Sequence, residues 1–166
     1  STIARLGELL RQSLGNVQRN RIPLREELSF LEAYLEIERT RFADRLAVRF
    51  DVDRATFEAL IPNMSLQPLV ENAIRHGIAR DPSASRIEVR ARQRNGSLRV
   101  EVRNDGPAYG GSGGPAPASG VGLANTRARL SRLYGSAYRL ELLADREGGT
   151  LAVLEVPWQA KEGEAG

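Results

Sequence analysis

The feature that most constrains the fold is a pair of alternating segments joined by a short turn. Apolar and charged residues alternate over residues 87–92 and again over residues 98–103, with Asn95-Gly96 between them. Asn-Gly is the dipeptide typical of a two-residue hairpin turn. Because a period of two places successive side chains on opposite faces of a strand, the sequence predicts an antiparallel hairpin with one apolar and one solvated face.

Helices and strands are predicted on both sides of this hairpin. Pro23-Leu24 followed by Glu26-Glu27 is a favourable helix opening, and apolar spacing extends that helix to about Arg41. Asp53 is expected to cap a short helix. The other predicted elements are a helical stripe over residues 2–14, a loop over 18–22, a strand over 47–52, the short helix over 55–60, a helix from 120 to Gly135, and strands over 138–143 and 151–156.

A stretch rich in glycine and proline, residues 109–120, interrupts these elements. One interpretation is a disordered linker between two domains. However, the part that follows contains only one helix and one hairpin, which is too little to fold alone. The stretch is therefore predicted to be a mobile loop within one domain, and long loops of this kind are usually functional.

The segment from Gln67 to Gly77 combines an apolar side with a polar side. Apolar residues recur at helical spacing, and the polar side carries four residues capable of chemistry: Glu71, Asn72, Arg75 and His76. Gly77 is expected to end the helix. This segment alone leaves two interpretations open, the wall of a phosphate and metal site or a surface helix with a solvated Glu71–Arg75 ion pair.

Three further islands of polar residues and glycine lie at the ends of predicted elements, at residues 104–106, 120–122 and 148–150. Gly120-x-Gly122 at a helix start offers free backbone N–H groups for a phosphate, although G-x-G alone is weak evidence. Asp105 could accept a hydrogen bond from the exocyclic amine of a purine. The side-chain oxygen of Asn72 suits Mg2+, which prefers oxygen ligands and shares phosphate oxygens.

Composition excludes several other classes of site. There is no cysteine and only one histidine, so disulfides, thiol nucleophiles and multi-histidine zinc sites are excluded. The net charge is +3, but arginines alternate with acids along the chain, which disfavours a nucleic-acid surface.

Four segments in order resemble those of sensor histidine kinases of the LytS/YehU type. Residues 67–77 resemble the N box, Asn104-Asp105-Gly106-Pro107 the first glycine box, residues 120–127 the second, and Gly148-Gly149-Thr150 the last. Residues 23–42 are similar to the helix that leads into the ATP-binding domain. The resemblance implies the GHKL (Bergerat) fold, an α/β two-layer sandwich whose mixed, mainly antiparallel sheet has helices on one face, preceded by an N-terminal helical segment.

The resemblance also implies a division of the chain. Residues 1–22 would be the end of a dimerisation and phosphoacceptor helical region with its linker. Residues 23–158 would be the ATP-binding catalytic domain, with the ATP lid at 107–119, and residues 159–166 a tail.

Roles for individual residues follow from the same resemblance. Asn72 would hold Mg2+ against the phosphates of ATP, Arg75 and His76 would face those phosphates, and Glu71 would orient water or metal. Asp105 would accept from the adenine amine, with Gly106 giving backbone clearance. The remaining nucleotide contacts would be Gly120, Gly122, Leu123, Arg127 and Thr150.

The implied function is that of the catalytic part of a two-component sensor histidine kinase, a transferase in signal transduction. The γ-phosphoryl group would pass to a histidine upstream of residue 1, whereas His76 belongs to the N box and is expected to line the site. Pro68 stands where related ATPases place a general-base Glu, which argues against hydrolysis. Ala108 and Ala118 stand where the glycine boxes usually have Gly, which would remove some freedom from the loop.

Expected partners are ATP with Mg2+, a phosphoacceptor helix of the same or a partner subunit, and a response regulator engaged by the full-length kinase, with no nucleic acid. The parent is expected to be a homodimer, and this part of it cytoplasmic even if the parent is membrane-anchored. Two alternatives stay open, a protein-serine kinase or ATPase of the same fold and a non-enzymatic nucleotide-binding scaffold.

Overall fold

The computed structural model describes residues 5–7, 20–43, 45–106 and 121–160, with only the backbone described at 121 and 122. Residues 5–7 are helical, as predicted. The rest of the predicted N-terminal stripe, the predicted lid, Gly120 and most of the predicted tail lie outside the described residues.

The helices and strands follow each other in mixed order along the chain. They are β1 (Arg21–Pro23), α1 (Leu24–Arg41), β2 (Ala47–Val52), β3 (Leu60–Pro62), α2 (Gln67–Ala73), β4 (Arg86–Arg94), β5 (Ser97–Asn104), α3 (Val121–Tyr134), β6 (Arg139–Ala144) and β7 (Thr150–Pro157). In the described part of the chain, no helix is both long and apolar enough to cross a membrane.

The main sheet has five strands in the order β2-β4-β5-β7-β6. β2 pairs with β4 in parallel, whereas the other three neighbouring pairs are antiparallel. One face of the sheet and the helices share a single apolar core, to which α1 contributes Leu31, α2 contributes Leu69 and α3 contributes Leu130. The predicted α/β sandwich with a mixed, mainly antiparallel sheet is confirmed.

The predicted hairpin is present as β4 and β5. Val89 pairs with Val102 in the antiparallel register, and Asn95 and Gly96 both have positive φ, which a type I′ turn requires. The charged face is less open than predicted, because Glu101 is only 9% exposed and Val153, which pairs with Glu101, is fully buried. Arg99 spans this face and bonds Glu155 at 2.9 Å.

Two short predicted segments are wrong. Residues 18–22 were expected to be a loop, but Arg21–Pro23 pairs antiparallel with Leu60–Pro62 in a separate two-stranded sheet. The helix predicted over 55–60 is a single 3-10 turn over Arg54–Thr56, where the Asp53 side chain accepts from the Ala55 N–H as predicted. The chain enters β3 at Leu60, whose N–H donates to the Gln159 carbonyl at 2.8 Å, and β3 pairs with β1. Buried backbone groups must find hydrogen-bond partners, and these neighbours provide them.

The helix predicted up to Gly77 changes its geometry partway. α2 ends at Ala73, and a π turn follows over Ile74–Ile78, in which the Ala79 N–H donates to the Ile74 carbonyl at 2.8 Å. Gly77 therefore lies inside the helical segment and does not end it. We call residues 67–78, α2 with the π turn, the site helix.

Candidate functional site

Three glycines converge on the end of β5. A Cβ at Gly77 would lie 2.1 Å from Nδ2 of Asn104, and one at Gly106 would lie 2.5 Å from Cα of Gly77. A Cβ at Gly149 would lie 1.8 Å from the backbone oxygen of Asn104. Only glycine permits these approaches, so the π turn, the end of β5 and the β6–β7 turn meet at one point.

This convergence brings together three of the four predicted islands. The N box contributes Gly77, the first glycine box contributes Asn104 and Gly106, and the last box contributes Gly149. Thr150 is also part of the cluster, since it is buried and lies opposite Asn104 in the sheet register. The second glycine box begins outside the described residues, and Gly122 lies in the first turn of α3.

Asn104 faces the helices, a feature that the sequence prediction missed. It continues the inward alternation of Val100 and Val102, and it is 6% exposed. Its carboxamide provides two hydrogen-bond donors and one acceptor oxygen on the helix side of the sheet. The period-two pattern of β5 carried this signal, because extending it by one step places Asn104 inward and Asp105 outward.

Asp105 lies on the opposite face and already has partners there. Its Oδ1 accepts from the backbone N–H of Ser85 at 2.9 Å and of Arg86 at 2.7 Å, and its Oδ2 lies 3.4 Å from Nε of Arg86. The carboxylate thus closes the start of β4 onto the end of β5. The role of Asp105 as the adenine acceptor stays a prediction.

A shallow depression of about 150 Å³ lies beside Asp105 on the outer face of the sheet. Ligand pockets usually have volumes of about 300 to 1,000 Å³, so this depression alone is too small for a nucleotide. Most of its lining is charged: Arg86, Glu88, Arg103, Asn104, Asp105, Asp145, Glu147 and Gly148.

The polar side of the site helix differs from a simple ion-pair surface. Glu71 accepts from Nε2 of Gln67 at 3.0 Å, and within the described residues it forms no ion pair with Arg75. Asn72 is half-buried and Arg75 is exposed. Burial raises the pKa of Tyr34 on α1, and the charges of Glu38 and Glu71 raise it further. The effect of the Glu71 charge indicates that Tyr34 lies near this side of the site helix.

His76 is half-buried within the π turn. Its Nδ1 is buried without a hydrogen-bond partner among the described residues. Burial lowers the pKa of His76, and the charges of Arg80 and Arg75 lower it further. The imidazole is therefore neutral near pH 7, and one ring nitrogen can accept a hydrogen bond.

The structure also describes two predicted contacts on α3. Leu123 is buried in the apolar core. Arg127 lines an open depression along β6, where Arg139 is the main group that lowers the pKa of Glu141 and Arg127 adds to that effect. The nucleotide contacts assigned to Leu123 and Arg127 stay predictions.

The metal chemistry of the site depends on few protein ligands. Among the residues described, no group of three or more His, Asp or Glu side chains could hold a metal ion by itself. Mg2+ in nucleotide sites typically takes one or two protein ligands, with phosphate oxygens and water completing its shell. The role of Asn72 as a ligand of Mg2+ stays a prediction.

Comparison with known proteins gives consistent relatives. A family model described as Histidine kinase matches residues 1–46. The sensor histidine kinase YesM of Bacillus subtilis is 33% identical over 92% of this chain, and the sensor protein LytS of Staphylococcus saprophyticus is 32% identical over 98% of it. The aligned regions are 26% of YesM and 29% of LytS, so the chain spans little more than a quarter of these curated relatives.

Solved structures with the same fold are histidine kinase domains. The catalytic domain of histidine kinase ThkA aligns with a TM-score of 0.63 at 19% identity, covering 85% of this chain and 97% of that domain. The histidine kinase domain of the blue-light activated kinase EL346 from Erythrobacter litoralis also has a TM-score of 0.63, at 18% identity, and covers 95% of this chain and 75% of that domain. The chain is thus related in sequence, over nearly its whole length, to the YesM and LytS sensor histidine kinases, and it has the fold of a histidine kinase catalytic domain.

Proposed function

We propose that the chain is the ATP-binding catalytic part of a protein-histidine kinase of a two-component system. The observation that carries this proposal is the packing of Gly77, Gly106 and Gly149 around Asn104. These glycines belong to three segments far apart in sequence. Gly77 and Gly149 leave out side chains that would overlap Asn104, and Gly106 leaves out one that would overlap Gly77. That arrangement brings the Asn104 carboxamide together with backbone groups of all three segments.

The polar residues of the site helix would bind the phosphates and the metal. Asn72 would supply an oxygen to Mg2+, with Glu71 beside it. Arg75 is exposed and free of an ion pair with Glu71, so its guanidinium can neutralise phosphate charge. The neutral His76 would contribute a hydrogen bond without adding a competing charge.

The base would lie against Asn104, Gly106 and Thr150. A carboxamide can accept from the exocyclic amine of adenine and donate to a ring nitrogen beside it, as asparagine does when it binds adenine in nucleic acids. Asp105 would act next to this contact, by closing β4 onto β5 and holding Gly106 in place. Gly120 and Gly122 would allow the start of α3 to approach the phosphates.

The proposed reaction is phosphoryl transfer to an imidazole. The bond between the γ-phosphorus and the bridging oxygen of ATP breaks, a nitrogen–phosphorus bond forms on the acceptor histidine, and ADP leaves. Positioning and charge neutralisation supply most of the catalysis in such transfers. Pro68, at the position where related ATPases have a general base, favours transfer over hydrolysis.

The acceptor would be a histidine on a helix of the same or a partner subunit, upstream of residue 1. A response regulator would then take the phosphoryl group from the full-length kinase. A solved complex of histidine kinase ThkA with the response regulator TrrA, at 17% identity and a TM-score of 0.58, supports this kind of partner.

Titration with Mg·ATP by calorimetry tests the site and separates Asn104 from Asp105. Wild-type protein is expected to bind, and Asn104→Leu to weaken binding about tenfold or more through loss of the base contact. Asp105→Asn keeps an Oδ1 acceptor for Ser85 and Arg86, so a smaller loss is expected. Gln93→Leu, which removes an exposed amide at the end of β4, serves as the matched control.

The opposite order of effects would assign the base to Asp105. Absence of Mg·ATP binding by wild-type protein would remove the proposed function altogether. Binding that is equally strong with and without Mg2+ would take Asn72 out of its metal role.

A further inference from the structure

The N-terminal end of the site helix is held by a buried carboxylate from α1. Glu27 is 1% exposed, and its Oε2 accepts from the Met64 N–H at 3.0 Å while its Oε1 accepts from the Leu66 N–H at 3.1 Å. Backbone N–H groups at a helix start have no partner within the helix. A negative charge there also interacts favourably with the helix dipole.

The charge of Glu27 is balanced across the core by α3. Arg129 donates to the backbone oxygen of Asn63, one residue before Met64, and its charge lowers the pKa of Glu27. Burial acts more strongly in the other direction and raises the pKa of Glu27 to about 6, with the N–H groups of Leu66, Met64 and Ser65 opposing that rise. Glu27 is therefore ionised at neutral pH, and Arg129 is the charged group of the described residues that faces it.

The C-terminal end of the site helix is held by a cation. Arg45 donates to the carbonyl oxygen of Ile78, the last residue of the π turn, at 3.0 Å. The same guanidinium donates to three further backbone carbonyl oxygens, those of Asp81 at 3.2 Å, Pro82 at 2.9 Å and Ala84. A positive charge is the favourable sign at this end of a helix.

We propose that Glu27 and Arg45 are positioning residues of the nucleotide site, which fix both ends of the site helix and so hold Asn72 and His76 in the orientation that binds Mg·ATP. This inference rests on the function proposed above. It assigns to α1 and the segment after it a role in the site, although neither residue contacts the nucleotide.

Both positioning residues lie in the part of the chain, residues 1–46, that the Histidine kinase family model matches. Glu27 is on α1 and Arg45 follows α1 by four residues, next to Phe42, whose ring centre is 5.5 Å from the guanidinium carbon. A displacement of α1 therefore moves Glu27 and Arg45 together. The orientation of the site helix depends on where α1 lies.

Calorimetric titration with Mg·ATP tests the positioning roles of Glu27 and Arg45. Glu27→Gln keeps the size of the side chain and loses one acceptor oxygen, and we expect binding to weaken about tenfold, the lower end of the loss seen when a residue that supports a metal ligand is removed. Arg45→Lys, which cannot bond four carbonyls at once, should have a similar effect. Glu32→Gln and Arg39→Lys, exposed on α1, are matched controls expected to bind as wild type does.

A double-mutant cycle distinguishes positioning from general loss of structure. If Glu27 acts through the site helix, Glu27→Gln should lose most of its effect on affinity in an Asn72→Ala background, because the residue that it positions is gone. An undiminished tenfold effect in that background would overturn the inference. Unchanged affinity in both Glu27→Gln and Arg45→Lys would overturn it as well.

The pH dependence of Mg·ATP affinity gives a further test, which a general loss of structure in the variant would not reproduce. As pH falls through about 6, Glu27 of the wild type becomes protonated and loses an acceptor oxygen, so the ratio of wild-type to Glu27→Gln affinity should fall towards one. Comparing the two proteins cancels the protonation of ATP itself. A ratio that does not change with pH contradicts the inference, whereas failure of the wild type to bind at any pH shows that the proposed function is wrong and the inference with it.

Discussion

Glu27 shows how one residue can favour binding and oppose stability. Its pKa is raised from 4.5 to about 6, mainly by burial, so folding favours the protonated form over the ionised form. A buried carboxylate that stays ionised at neutral pH weakens the fold and marks a candidate for a functional role.

The free energy of unfolding should depend on pH because of the raised pKa of Glu27. Because the folded pKa of Glu27 is raised, its contribution to the free energy of unfolding is full below about pH 4.5 and is lost as pH rises through about 6. The loss amounts to about 2 kcal/mol. Urea unfolding of the wild type and Glu27→Gln across this range should show wild type losing about that much relative to the variant.

Parallel stability curves for the two proteins would show that Glu27 does not titrate as burial predicts. Acid should therefore raise the contribution of Glu27 to the free energy of unfolding while it weakens nucleotide binding. A residue with a purely structural role would move both quantities in the same direction.

At the end of β5, the sequence predicted which residues carry polar groups but not the faces on which they lie. The adenine acceptor was predicted at Asp105, and that role stays a prediction. Strand alternation places Asn104 inward, and the hydrogen bonds from Ser85 and Arg86 hold Asp105 outward. Those two donors come from the preceding loop, whose position depends on tertiary packing that no local pattern reveals.

At the scale of elements, the turn between β6 and β7 is fitted to its neighbour by one glycine of a pair. Gly148 and Gly149 both have positive φ, at 93° and 87°. A Cβ at Gly148 would meet nothing within 4 Å, whereas one at Gly149 would overlap the backbone of Asn104. A side chain at Gly148 would therefore meet backbone strain alone, whereas one at Gly149 would meet both backbone strain and a packing overlap.

Alanine at each position should give different losses of stability. Gly148→Ala is expected to cost about 1 to 2 kcal/mol for the left-handed backbone alone. Gly149→Ala should cost about 1 to 3 kcal/mol more, because the end of β5 must move. Equal free energies of unfolding by urea for the two variants would mean that the β6–β7 turn is free to shift away from Asn104.

Long periodic elements were predictable, and short or irregular ones were not. The helix Leu24–Arg41 and the β4–β5 hairpin carry several repeats of their period, so their bounds were predicted within one or two residues. The strands Arg21–Pro23 and Leu60–Pro62 have three residues each and no period to detect. The π turn packs Gly77 against Asn104, which is far away in sequence, so no local pattern reveals this contact.

At the scale of the whole molecule, the proposed kinase must act on a histidine outside its own site. His76 is half-buried in the π turn, with its pKa lowered by burial, and its enclosed Nδ1 has little room to accept a phosphoryl group. The fold is that of histidine kinase catalytic domains. The acceptor belongs to another helix in this proposal.

Labelling with ATP that carries a radioactive γ-phosphate tests this division of roles. This chain alone is expected to bind ATP without retaining label, and a longer chain that includes the upstream helix should become labelled with the acid-lability of a phosphohistidine. The longer chain with Asn72→Ala should lose the label, whereas Glu32→Gln should keep it. Label on His76 would contradict the proposal, and binding without label in the longer chain would favour a nucleotide-binding scaffold.

The outer face of the sheet has a consequence for how the molecule meets charged solutes. Its arginines and carboxylates are interleaved, with pairs such as Arg92–Asp51 at 2.8 Å and Arg99–Glu155 at 2.9 Å. At physiological ionic strength such alternating charges cancel beyond about 8 Å. Arg75 and Arg80, which pair with no carboxylate among the described residues, are both exposed beside His76. These two guanidinium groups therefore add positive charge beside the π turn, which attracts an incoming polyphosphate once it comes within about 8 Å.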